Sequence, residues 1–398
     1  MSRLWAGFGT STAQDTQEAT REAVSMASAG LAGQKPGLAI VTATVEHDAE
    51  KIFAAVSSAL PGVPIHGVTT SLGVLSKEGI VSDSNGVVAI LLLAASEMIS
   101  FAVGCSVLGD DAIAAGRRAA EQIAKSAQTP PRVLIVNGSP GREEDVLAGI
   151  AQVLPDVPAF GGSAADHAIL GEWSVFTKDG VFRDAVSVAA ICGDVAFSGA
   201  LLAPFVPTTA SAKVTGGQDR KMTALDGQPA ADVLNRWLDG ALSLQVAEGG
   251  NILAQTALRP LAIRHDVGGN SHFVTLHPAH IHAEDRSVDL FARIRPGDTV
   301  CMMSGSVQGL TAVLSELHAQ TSRNLPKEKI RAAILIYCAG CAGAVGGSLH
   351  GALREHLLRS LADVPVLGLC TFGEQGYIPG LGNVHQDLSV SLLLLGEP

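Results

Sequence analysis

One pattern occurs three times along the chain, and it limits the possible folds more than any other feature of the sequence. An apolar strand-like run is followed by a loop, an amphipathic helical stretch with a Leu near its end, and a Val-Pro pair with a Gly three residues after the Pro. The copies span 37–70, 132–166 and 332–374, and a fourth, weaker strand-helix unit at 298–320 lacks the closing Val-Pro strand. Pro cannot continue a helix and biases its predecessor toward extended geometry, so each helix ends at its Val-Pro and a second strand follows. Polar residues after the first strand supply helix caps, with Ser139 and Asp145 as the candidates in the second copy.

Each second strand runs into Gly and small polar residues: Gly67, Thr69 and Thr70; Gly161, Gly162 and Ser163; Gly368, Cys370 and Thr371. In α/β architectures such strand ends are where ligands sit, because the backbone can approach closely and its N–H groups point outward. Between the copies lie further strand runs that read as meanders, at 86–93 with 99–107, 184–205, 274–291 and 388–395. The pattern predicts an α/β protein of two domains, with mixed sheets covered by helices. It also predicts pseudo-symmetry between the halves, with Gly67, Gly161 and Gly368 in equivalent places. The connection 204–219, rich in Pro, Thr, Ser and Gly, is the best candidate for a break, giving domains 1–215 and 216–398.

A chain of 398 residues with 47% hydrophobic and 16% charged residues has ample material for a large core. Its net charge of −11 and the lack of any basic run argue against nucleic acid as a partner. The first residues lack the basic flank and apolar segment of a secretory signal. The longest apolar stretches, 87–96 and 388–395, fall short of the roughly 20 residues a membrane-spanning helix needs. Six Cys, at 105, 192, 301, 338, 341 and 370, sit mostly in apolar strand-like runs and read as reduced thiols, so a cytoplasmic location is expected.

Several side chains are candidates for chemistry. His385 precedes the final apolar run with Asp387 two residues on, an arrangement that serves either a structural hydrogen bond or a ligand. His265, His272, His277, His280 and His282 fall within 18 residues, and His280 and His282 share one strand face. No Cys or carboxylate stands at a recognised ligand spacing to them, which favours a solvated strand and turn over a metal site. Cys338 and Cys341 have C-x-x-C spacing, but the Ala342 that follows excludes covalent haem attachment. The pair either serves redox or ligand chemistry at a Gly-rich helix start or packs as small apolar groups.

Gly340, Gly343, Gly346 and Gly347 leave room for a ligand phosphate or carboxylate, yet the P-loop pattern is absent and a strand follows Gly380 and Gly382, which disfavours a dinucleotide. Asp166 and Glu374 each end a strand at a Gly-rich loop, where a carboxylate holds loop amides or works as acid and base. Ser163, Thr69 and Thr371 are nucleophile candidates without an identifiable base, and there is no G-x-S-x-G elbow.

The chain resembles the FIST sensory proteins, a FIST N-terminal domain followed by a FIST C-terminal domain, over nearly its whole length. The resemblance is carried by Gly7-Phe8-Gly9-Thr10-Ser11, Pro64-Ile65-His66-Gly67-Val68-Thr69-Thr70 and Phe160-Gly161-Gly162-Ser163-Ala164-Ala165-Asp166. It continues in Leu225-Asp226-Gly227-Gln228-Pro229-Ala230, Pro260-Leu261-Ala262-Ile263, Gly368-Leu369-Cys370-Thr371-Phe372-Gly373-Glu374 and Asn383-Val384-His385-Gln386-Asp387. The chain departs from the family where Ser71-Leu72-Gly73 replaces Gly-Glu and where Cys338-Ala339-Gly340-Cys341 replaces Cys-x-Gly-Arg. Losing that Arg removes a fixed bidentate cation and points to a less anionic ligand.

The resemblance implies a small-ligand sensor that works with a separate histidine kinase or cyclic-dinucleotide enzyme, in a family with a haem-binding, nitric-oxide-sensing subset. The expected ligand is haem or an amino-acid-like metabolite, and homodimerisation stays open. The expected ligand-binding residues are Thr69, Gly161, Gly162, Ser163, Asp166, Cys338, Cys341, Thr371, Glu374 and His385, with His385 as the haem axial ligand. The rival class is a hydrolase of a small amide or ester. It requires Ser163, Thr69 or Thr371 within reach of a Lys or His, such as His66, His167 or His385, beside two backbone donors.

Overall fold

A computed structural model describes residues 2–398. In the first unit, strand Leu4–Ser11 pairs antiparallel with Val88–Ala95, which pairs antiparallel with Leu38–Ala43, which runs parallel to Ile65–Thr69. The second unit repeats this order with Ile99–Val107, Ala185–Gly193, Pro131–Gly138 and Ala159–Ser163. The third repeats it with Ala196–Leu202, Val390–Gly396, Ile330–Cys338 and Val366–Thr371. Helices Thr16–Ala29 and Ala49–Ala59 connect the first set, and Ala112–Ser126 and Glu143–Ala151 the second. The parallel pairs have one register: Val41 faces Gly67, Val136 faces Gly161 and Leu335 faces Gly368. The three Val-Pro carbonyls also act alike, since Pro64, Pro158 and Pro365 accept from Ala39, Leu134 and Ala333 at 3.0, 2.8 and 3.0 Å.

After its second strand each unit sends a hairpin to another unit. Val74–Ser76 with Gly79–Val81 extends the sheet of Val366–Thr371, Val175–Thr177 with Gly180–Phe182 extends that of Ile65–Thr69, and Glu374–Ile378 with Gly382–Gln386 extends that of Ala159–Ser163. The result is three six-stranded sheets in a closed cycle. Their inner faces share one core in which Leu38, Val68, Ile135, Phe160, Ile334 and Leu369 are all buried.

Of the strands expected to form meanders, those within 274–291 do pair, Pro278–His282 antiparallel with Ser287–Leu290, but the runs at 86–107 and 184–205 do not. Val88–Ala95 and Ile99–Val107 lie in different sheets, as do Ala185–Gly193 and Ala196–Leu202. The reason is burial on both faces: Val88 to Ala94 are all buried, and such a run needs helices on one side and another sheet on the other. The symmetry relates three units rather than two halves.

Between Ala196–Leu202 and helix Val307–Asn324 the chain builds a fourth, nine-stranded sheet with its own core, including Val214, Leu234, Ile281 and Met302. Most of residues 204–219 form strand Val206–Gln218, which carries the chain from the body of three units into this sheet. The weak unit at 298–320 is the way back, with strand Thr299–Ser304 in the fourth sheet and helix Val307–Asn324 packed on the body.

Ser139 and Asp145 do not cap helix Glu143–Ala151, which starts at Arg142 without a side-chain cap. Ser139 instead donates to Arg183 O at 2.7 Å and accepts from Ala185 N at 3.0 Å, while Asp145 pairs with Arg142 and Arg293. The helix start is served by three adjacent carboxylates, Glu143, Glu144 and Asp145, which complement its dipole.

The equivalent glycines differ in what surrounds them. A Cβ on Gly67 or Gly161 would stand 1.8 Å from the carbonyl oxygen of Val41 or Val136 in a central strand, at a positive φ that suits only glycine, whereas Gly368 lacks the positive φ and a Cβ there would meet Leu75 Cβ at 2.4 Å on a three-residue hairpin strand that can shift. Gly67→Ala and Gly161→Ala are expected to lose at least about 4 kcal/mol of unfolding stability, and Gly368→Ala about 1–3 kcal/mol. Urea denaturation midpoints check this, and equal costs at all three positions would contradict it.

Candidate functional site

The loops that follow the three parallel strand pairs lock onto one another. Ser71 N donates to Cys370 O at 2.9 Å, and Thr70 Oγ1 accepts from Cys370 N at 2.8 Å. Ala165 N donates to Thr69 O at 3.0 Å, and Ser163 N donates to Gly373 O at 3.0 Å. The hydroxyl groups here are all engaged. Thr69 Oγ1 accepts from Ser174 N at 3.0 Å, Ser163 Oγ donates to Glu143 Oε1 at 2.6 Å, and Thr371 Oγ1 donates to Glu374 Oε1 at 2.9 Å. Their partners are backbone and carboxylate groups and, for Ser163, the Gln375 amide, not the Lys or His that a hydrolytic dyad requires.

The two strand-end carboxylates hold structure together. Asp166 accepts from four backbone N–H groups, those of Ala168, Ile169, Leu170 and Glu172. Burial opposes its ionisation, but these four donors keep it below the usual carboxylate range. Glu374, fully buried, accepts from Thr371 and from both the N–H and hydroxyl of Ser389. Burial and the neighbouring Cys338 push its pKa well up.

Beside this knot lies a cavity of about 650 Å³, walled by the body of three units and by the fourth sheet together. Cys338, Thr371, Phe372 and Asp387 come from the third unit, Gly141, Ile169 and Trp173 from the second, and Arg220, Leu253, Leu258, His277 and Phe291 from the fourth sheet and its helices. Of the residues expected from sequence, Cys338 and Thr371 line the cavity, whereas Thr69, Gly161, Gly162, Ser163, Asp166, Cys341, Glu374 and His385 lie outside its lining. Arg220 and Phe291 were missed because they belong to no motif, and His277 was noticed only as one of the clustered histidines, not as a wall of this cavity. The one available signal was the run Glu143-Glu144-Asp145, since carboxylates at a buried helix start need a cation from elsewhere.

That cation is Arg220. Its Nη2 reaches Glu143 Oε2 at 2.5 Å and Glu144 Oε2 at 2.8 Å, and Arg293 adds a bond from its N–H to Glu144 at 2.6 Å and an ion pair to Asp145 at 2.7 Å. Burial disfavours the charge on Glu143 and Glu144, but Arg220 and His385 outweigh it, holding both below the usual range and Glu144 at about 2. The His385 ring is wholly buried, and Gly373 makes room for it, since a Cβ there would lie 2.4 Å from His385 Cε1. Among the described residues neither ring nitrogen has a hydrogen-bond partner, and Asp387 Oδ1 stands 3.5 Å from Nε2. Burial works against a proton on His385, but Glu143, Glu144 and Asp387 raise its pKa above the ordinary value.

Asp387 Oδ2 accepts from His277 N at 2.9 Å, and burial still pushes its carboxyl up to about 6. A carboxyl that titrates higher in the folded state than its unfolded value of about 4 adds stability that is complete below that value and lost as pH rises through about 6. Wild type is therefore expected to lose stability relative to Asp387→Asn between pH 4 and pH 7, by at most about 3 kcal/mol. Chemical denaturation of both proteins at the two pH values measures this; a flat or opposite difference contradicts it.

Among solved structures the chain is similar to a cyanuric acid hydrolase from A. caulinodans, with 12% identity over 48% of this chain and 71% of that chain and a TM-score of 0.30. Another cyanuric acid hydrolase is 10% identical over the whole of both chains with a TM-score of 0.35, and PurLQS from Thermotoga maritima is 8% identical over all of this chain and 73% of that one with a TM-score of 0.25. These values carry no functional reading. No curated protein matches. Residues 37–228 match the FIST N domain and residues 230–377 match the FIST C domain, which together take in most of the sequence. The chain belongs to the FIST domain family.

Proposed function

We propose that the chain is a signalling sensor whose ligand site is the cavity between the body and the fourth sheet, and that the ligand is an amino-acid-like metabolite. The observation that carries this reading is the composition of the cavity wall. Arg220 and Asp387 place a cation and a carboxyl in an otherwise largely apolar enclosure with Leu253, Leu258, Phe291, Trp173 and Phe372. Arg220 spends Nη2 on Glu143 and Glu144, and among the described residues its Nε and Nη1 make no hydrogen bond. A ligand carboxylate suits those donors, a ligand ammonium suits Asp387, and an apolar side chain suits the remaining walls.

The signalling role agrees with the FIST family membership. A ligand that touches both the body and the fourth sheet binds best when the two are held together, and that difference in affinity between two arrangements is what shifts a population. A separate histidine kinase or cyclic-dinucleotide enzyme is the proposed recipient, and the six free cysteines accord with a reducing compartment.

Haem fits less well. An axial ligand needs an open face toward its group, and the His385 side chain offers none toward this cavity, being wholly buried and bordering instead a separate pocket with Glu144, His265 and Arg293. The donors that do line the cavity are His277, whose pKa burial lowers to about 4, and Cys338.

Calorimetric titration with a panel of amino acids is expected to show saturable one-to-one binding by at least one apolar member. Leu258→Trp, which fills the cavity and leaves the charges in place, is expected to weaken it at least tenfold. A panel without binding, together with a Soret band that haem produces and His385→Ala abolishes, would overturn the proposal in favour of haem. For the output, the bound amino acid is expected to change autophosphorylation of a kinase encoded nearby.

A further inference from the structure

Strand Ile330–Cys338 turns directly into helix Ala339–Val345, with Cys338 at the junction. Cys338 is in the cavity wall beside Gly340, Thr371 and Asp387. Cys341, one helical turn on, is completely buried behind that wall. Gly340 lies beside the pair: a Cβ there would press on Leu388 Cδ2 at 3.0 Å and make ordinary contact with Cys338 Sγ at 3.6 Å and His277 Cε1 at 3.8 Å. Both cysteines are free.

We propose that Cys338 and Cys341 form a thiol–disulfide exchange site opening into the cavity, which reacts with small organic disulfides and closes to an intramolecular disulfide. Nothing in this depends on which metabolite the cavity binds. The two thiols are unlike in the way such a site requires. Hydrogen bonds from the Cys341 thiol and from the N–H groups of Cys341 and Gly340 bring the Cys338 pKa down, against burial and the Asp387 carboxyl, while burial raises Cys341 far above the ordinary thiol value. The outer sulfur, the more readily ionised of the two, is thus the attacking group, and the inner one keeps its proton until it resolves the intermediate.

The exchange balances without another reactant. Cys338 thiolate attacks one sulfur of R–S–S–R, a Cys338–S–R bond forms, the R–S–S–R bond breaks, and RS⁻ leaves and takes up the proton that Cys338 gave up. Cys341 then loses its proton and attacks Cys338 Sγ, expelling a second RS⁻, which is protonated in turn. Two protein thiols are oxidised to one disulfide, and one organic disulfide is reduced to two thiols. A cavity of about 650 Å³ with apolar walls is wide enough for an aromatic disulfide of ordinary size.

The reduced full-length protein is treated under native conditions with dipyridyl disulfide, an uncharged aromatic disulfide whose released thione absorbs. A fast phase is expected to release two thiones per chain and leave no pyridyl adduct, with peptide mapping showing a link between residues 338 and 341. Cys341→Ser is expected to halve the fast phase and retain an adduct on Cys338, and Cys338→Ser to abolish it. A lone thiol such as Cys105 or Cys301 would instead keep its adduct. The proposal is overturned if the fast phase survives in Cys338→Ser, if the wild-type adduct stays unresolved, or if thiols react only after unfolding. Should a variant fail to fold by circular dichroism, mapping of the wild type decides, the 338–341 link supporting the proposal and its absence refuting it. Amino-acid titration of the reduced protein reads the sensor proposal separately, so either can fail alone.

Discussion

The whole arrangement depends on what to do with the open edge of a parallel strand pair. Ile65–Thr69, Ala159–Ser163 and Val366–Thr371 each have a partner on one side only within their own unit, and an uncovered edge of buried apolar strand is an invitation to unwanted pairing. Each edge is closed by a hairpin from another unit, so the solution works only if the three units form a ring. That ring brings the loops after all three strands to one place, and their backbone groups then bond each other across units, as Thr70 does with Cys370 and Ser163 with Gly373. A centre held so tightly has little room for a substrate. The cavity lies to one side of it, where the threefold pattern is broken by the fourth sheet.

The fourth sheet is fastened to the body by apolar packing, with Ala262, Cys301 and Met303 buried against Tyr337, Leu388 and Val390, and at the cavity also by charge. Arg220 and Arg293 reach across to three consecutive carboxylates at the start of one helix of the second unit, and His385 and Asp387 of the third unit sit in the same field. Buried ion clusters of this kind are poor sources of net stability but strict about geometry, because breaking one member strands the others without solvent. They are a joint that fixes how the fourth sheet meets the second and third units.

The legible part of the sequence was the part that repeats. Val-Pro followed by Gly is a local signal with a backbone cause, and it located the three parallel pairs and their equivalent glycines in register. Hairpin exchange was invisible, because residues 74–81 look the same whichever sheet they join. The apolar runs 86–93 and 99–107 likewise carried no mark of belonging to different sheets. At the site, Cys338 and Thr371 could be singled out because they end strands of the repeat. Arg220 and Phe291 could not, and His277 stood out only within the histidine cluster, since all three come from the unrepeated insertion and acquire their place at the cavity only through contacts with residues far away in sequence. His385 drew notice for its proximity to Asp387, a pairing the fold does produce, though deep in the protein instead of at the cavity.

The cyclic exchange also sets a schedule for synthesis. The hairpin Val74–Ser76 with Gly79–Val81 leaves the ribosome early, yet its partner strand Val366–Thr371 comes late, and the Thr70 to Cys370 contact beside it spans 300 residues. At translation speeds of about 5–20 residues per second the early hairpin waits roughly 15–60 s for its sheet. Contacts of such sequence separation are slow to close in any case. For that interval the nascent chain carries an apolar hairpin with nothing to pair with, so its yield in the cell is expected to depend on chaperone occupancy more than its finished stability would suggest.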